Sequence, residues 1–82
     1  MKTINFKSYH EAEDYLNKEY SNKIIALKYY TTMQQKTFFG KVDRLAIDTV
    51  LHNPPVVIII FNSGERFEID KDEIFQRIKK LN

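Results

Sequence analysis

The chain has 82 residues, with thirteen basic against eleven acidic side chains and no cysteine. A chain of that length supports one domain, here 1–82, and a domain this small removes only about 60% of its unfolded surface from water. Disulfides and thiolate metal sites are excluded, and the longest apolar run falls far short of the ~20 residues a membrane helix needs.

The opening segment "MKTINFKSYHEAEDY" lacks the apolar core of a signal peptide. Together with the missing cysteine this points to a cytoplasmic protein. Ten Lys against three Arg, with ten Ile, suggests an AT-rich and hence bacterial genome. The formal charge of +2 is unevenly spread: residues 1–20 and 43–82 each net −1, whereas 21–42 hold Lys23, Lys28, Lys36 and Lys41 with no acid. The whole basic excess therefore lies in one segment.

Ser8 followed by Glu11 has the spacing of a capping box, which predicts a helix from about Tyr9 to Tyr20. Tyr9, Ala12, Leu16 and Tyr20 recur every three or four residues and form its apolar stripe. His10 lies three residues from Glu13 and four from Asp14, so two of them can share a helix face. Two ligands do not make a metal site, and no third is identifiable, so no metal or cofactor is expected.

"KIIALKYY" alternates Ile25, Leu27 and Tyr29 on one face with Ile24, Ala26, Lys28 and Tyr30 on the other, as a half-buried strand does. After a turn near "TTMQQK", Phe38, Gly40 and Val42 share one parity but Leu45 and Ile47 share the opposite one. A bulge near Asp43 and Arg44 restores a single buried face, and both the bulge and Gly40 predict a bend. "VVIIIF" is apolar on both parities and reads as a central strand, "NSG" as a hairpin loop, and "ERFEI" as the returning strand with Phe67 and Ile69 inward. Asp70 and Glu73 repeat the capping spacing before Ile74, Phe75, Ile78 and Leu81, which predicts a C-terminal helix ending in Lys79 and Lys80.

The expected fold class is α+β: an N-terminal helix, a curved four- or five-stranded antiparallel sheet and a C-terminal helix. A helix followed by a strongly bent antiparallel sheet is similar in its order of elements to small barrels of the Sm-like kind. The short NSG hairpin and the C-terminal helix depart from that pattern, and no Sm sequence motif is present. No RNA-binding residues carry over from the resemblance.

Ser8, Ser21 and Ser63 each fall at a structural position, and His52 sits beside "NPP" with no carboxylate close in sequence. There is no nucleophile elbow and no phosphate-cradling glycine loop, so no catalytic role is assigned. The expected function is a non-catalytic binding or protein-interaction module. Its foremost partner is a protein or a second copy of itself, with Val57, Ile59 and Phe61 as the candidate homodimer face. The alternative is a nucleic-acid-binding small barrel that uses Lys28, Tyr30, Lys36, Phe39 and Lys41, where rings stack on bases and ammonium groups neutralise phosphates. A hairpin whose rings simply pair across strands accounts for the same residues. Exposure of two or more of Tyr29, Tyr30, Phe38 and Phe39 beside the lysines would favour nucleic acid.

Overall fold

A computed structural model describes residues 8–49 and 55–81. Helix α1 (Tyr9–Tyr20) is capped by the Ser8 hydroxyl, which accepts from the Glu11 amide at 3.2 Å. It ends at Asn22, whose φ of 63° is the left-handed conformation that Asn tolerates at a helix end. Ala12 and Leu16 of the stripe are buried and Tyr20 packs against the core, while Tyr9 stays exposed.

Strands β1 (Ile24–Tyr30) and β2 (Gln35–Asp48) form a hairpin, and β3 (Val56–Phe61) and β4 (Arg66–Asp70) form another around a positive-φ Gly64. A four-residue helix α2 (Ile74–Arg77) leads into β5 (Ile78–Lys80). The five strands make one antiparallel sheet in the order β4-β3-β2-β1-β5.

The expected bulge is present: the β2–β3 register shifts between Val42 and Arg44. One extra residue there returns Leu45 and Ile47 to the face already held by Phe38 and Val42, and it bends the strand. β2 consequently pairs with β1 over its first half and with β3 over its second. The two halves of the sheet fold toward each other far enough for Phe67 of β4 to reach Tyr29 of β1, with ring centroids 5.1 Å apart. Phe38 lies 4.7 Å from Phe61 and 5.2 Å from Phe67, so four inward rings fill one end of the core. Leu16, Ile25, Leu27, Val42, Leu45, Ile59 and Ile74 fill the rest.

The expected C-terminal helix is corrected. It stops after one turn because the chain serves better as a strand: Ile78, β-branched, turns inward opposite Leu27, and residues 78–80 pair with the otherwise open edge of β1. Lys79 and Lys80 therefore belong to a strand, not to a helix terminus, and Lys80 Nζ donates to Glu19 at 3.0 Å. The sheet is not closed into a barrel. Its edges are β4 and the three-residue β5, which do not pair with each other.

Candidate nucleic-acid interface

The outer face of the β1-β2-β5 half is built by strand parity. With Ile25 and Leu27 inward, Ile24, Ala26, Lys28 and Tyr30 point out. The register sets them opposite Lys41, Phe39, Thr37 and Gln35 of β2. On the other side, Lys79 lies opposite Ala26, and the Leu81 amide donates to the Ile24 carbonyl at 2.9 Å. Across the three strands one row reads Leu81, Ile24, Lys41, and the next Lys79, Ala26, Phe39.

Four apolar side chains remain open to water on this face: Phe39 at 65%, Tyr30 at 59%, Leu81 at 49% and Ile24 at 42% exposure. Lys28, Lys41 and Lys79 stand among them, with no ion pair to any described residue. None of the side chains that the register places here is acidic. The outer face of the other half differs. There Arg44 and Arg66 alternate with Asp48, Glu68 and Asp70 around the half-buried Ile58 and Ile60.

Each aromatic doublet splits as strand geometry requires. Phe38 packs against the core and Tyr29, half-buried, turns inward onto Phe67, while Tyr30 and Phe39 face out. Of the five residues singled out in the sequence, Lys28, Tyr30, Phe39 and Lys41 come together. Lys36 does not, because it pairs with Tyr29 and shares the inward parity.

Lys79 and Leu81 were missed because a helical reading of the C-terminus hides which residues join the sheet. Arg77 was missed for the same reason. Its guanidinium lies 4.9 Å above the Tyr30 ring and donates to Glu73 at 3.1 Å. Beside it opens a concavity of about 440 Å³ lined by Lys28, Thr37, Arg77 and Lys79 among others.

The other candidate surface lies elsewhere in the fold. Val57, Ile59 and Phe61 have essentially no exposure, since they lie in the core of the single chain with residues of the sheet and of both helices, and they are not available as a dimer face. His10 Nε2 lies 3.4 Å from Asp14 Oδ2 on the surface, and no cluster of three metal-ligating residues occurs among the described residues. His52 falls outside the described residues. No helix among them is long and apolar enough to cross a membrane.

Comparison with known proteins finds no match: no family model fits the chain, and no curated protein or solved structure is significantly similar.

Proposed function

We propose that this chain is a small, cytoplasmic, non-catalytic binding module that takes a single-stranded nucleic acid on the outer face of β1, β2 and β5. The observation that carries the reading is the pairing of two exposed rings, Tyr30 and Phe39, with Lys28, Lys41 and Lys79 on a face where the strand register places no acidic side chain. Every base has a π-face, so exposed rings give sequence-tolerant stacking, and the ammonium groups supply the attraction for phosphates.

A second copy is a poorer occupant of this face. A two-fold contact apposes the same patch from both subunits, so it would bring a lysine-bearing surface onto an equally basic one, with none of the side chains that the register places there acidic. Self-association in the form first expected also loses its residues to the core.

Fluorescence anisotropy with a labelled single-stranded oligonucleotide at low salt tests the proposal. With about three phosphates neutralised, the logarithm of affinity should fall against that of salt with a slope of about −2. Changing Lys28, Lys41 and Lys79 together to Glu should abolish binding, and Phe39→Ala should weaken it. Lys36→Glu, on the opposite parity, serves as the control that leaves binding nearly unchanged. No binding to single-stranded RNA or DNA at low salt would overturn the reading.

A further inference from the structure

We infer that the concavity beside α2 is an anchoring pocket for the terminal phosphomonoester of the bound strand, an inference that rests on the nucleic-acid reading of the adjoining face. The pocket holds about 440 Å³ and is lined by Ala26, Lys28, Thr37, Gln76, Arg77 and Lys79, among others. That volume falls in the range of small-molecule sites, which is about 300–1,000 Å³. It is too large for a lone phosphate and suits one nucleotide.

Three cations reach the cavity from three separate elements: Lys28 from β1, Arg77 from α2 and Lys79 from β5. Glu73 offsets one of them through its 3.1 Å contact with Arg77, and no acid among the described residues lines the cavity itself. The remaining excess, two positive charges, matches a phosphomonoester, which carries about −1.5 to −2 at neutral pH, better than the single charge of an internal phosphodiester. Arg77 is held for the task on two sides, by Glu73 and by the Tyr30 ring 4.9 Å from its guanidinium. A guanidinium fixed in this way presents its remaining N–H groups without first losing side-chain freedom. Thr37 adds a hydroxyl that can donate to a phosphate oxygen.

The position in the fold explains why the group should be terminal. Residues 76–79 line the cavity at the β5 edge of the sheet, so a strand lying across Phe39 and Lys41 toward the cavity comes to the edge of the sheet there. An end fits where a continuing backbone would leave the sheet.

The test compares one oligonucleotide sequence carrying a 5′-phosphate, a 3′-phosphate or hydroxyl groups at both ends, together with a nucleoside monophosphate alone. One of the phosphorylated forms should bind about tenfold more tightly than the hydroxyl-ended form, as expected for one added set of charge-assisted hydrogen bonds. Lys79→Gln and Lys28→Gln should each reduce that advantage severalfold, whereas Phe39→Ala should weaken all oligonucleotides alike and preserve it. Equal binding of all three oligonucleotides would overturn the pocket and leave the face intact. Binding of the monophosphate, lost in Lys79→Gln, without binding of any oligonucleotide would support the pocket as a nucleotide site and overturn the strand reading. No binding of any of the four would overturn both.

Discussion

The side-chain amide of Asn17 pairs with both backbone groups of Leu45: Nδ2 donates to the Leu45 carbonyl at 2.8 Å, and Oδ1 accepts from the Leu45 amide at 2.9 Å. Leu45 lies just past the bulge, where β2 has left β1 and the edge that faced β1 has no strand partner among the described residues. The helix supplies one. Two residues further along the same edge, the Ile47 amide donates to Glu13 Oε2 at 3.3 Å. The spacing fits because two strand residues advance about 6.6 Å and four helical residues rise about 6 Å. Glu13 thus helps to dock α1 onto the sheet.

Asn17→Ala should therefore cost about 2 kcal/mol, since it leaves the Leu45 amide and carbonyl to find water at a partly covered edge. Asn17→Asp should cost more, because an oxygen then faces the Leu45 and Glu13 carbonyls that Nδ2 now serves. Urea unfolding monitored by circular dichroism measures both, and an Asn17→Ala variant as stable as the parent would show that the edge does not need its partner.

Gly40 admits no side chain at the bend. A Cβ there would lie 2.8 Å from a carbon of the Phe38 ring and 2.9 Å from one of Phe61. Those rings pack edge-on against each other, so neither has simple room to retreat. Gly40→Ala should destabilise by about 1–3 kcal/mol, the usual cost of overpacking. Thermal unfolding decides, and an unchanged midpoint would mean that the rings adapt freely.

These two sites show which features were legible beforehand. Parity and the bulge can be read from residues 38–47 because a period-two pattern that changes phase has few explanations. The helix start at Ser8 was equally readable from a local spacing. The end of the chain was not: Ile74 and Ile78 are four apart, which satisfies a helical stripe, and they are also the two buried residues of a turn followed by a strand. What decides between them is the vacant edge of β1, a long-range fact with no local signal. The candidate site inherits the same limit. Its β1 and β2 members were visible, but Lys79, Leu81 and Arg77 join it only through that edge.

The apolar run of β3 gives a sharp contrast between neighbours. Ile59 has no exposure and belongs to the core, whereas Ile58 points outward and is half-buried between Ala46 and Glu68 in the register. Ile59→Lys should unfold the protein, since an unpaired ammonium in the core costs several kcal/mol, most of the stability of a domain this small. Ile58→Lys should stay folded with a modest loss, its ammonium reaching water beside Glu68. Circular dichroism on the pair would show the reverse order if the two faces had been assigned the wrong way round.

The alkaline limb of stability should report on the contact between α1 and β5. Burial raises the Tyr20 hydroxyl above its ordinary 10.0, opposed in part by the charge of Lys80, whose Nζ lies 5.6 Å from the ring centre. The Lys80 ammonium is itself held above 10.5, first by its hydrogen bond to Glu19 and then by the charge of that carboxylate. Both groups keep their protons to higher pH in the folded chain than in the unfolded one. Their contribution is thus fully present below their unfolded values, near pH 10, and is lost as pH rises through the folded ones. The thermal midpoint should fall from about pH 10 upward. Tyr20→Phe removes one of the two linked protons and Glu19→Gln removes the main cause of the Lys80 shift, so each variant should lose less between pH 9 and pH 11 than the parent does. Parallel curves for all three proteins would show that neither group is linked to folding.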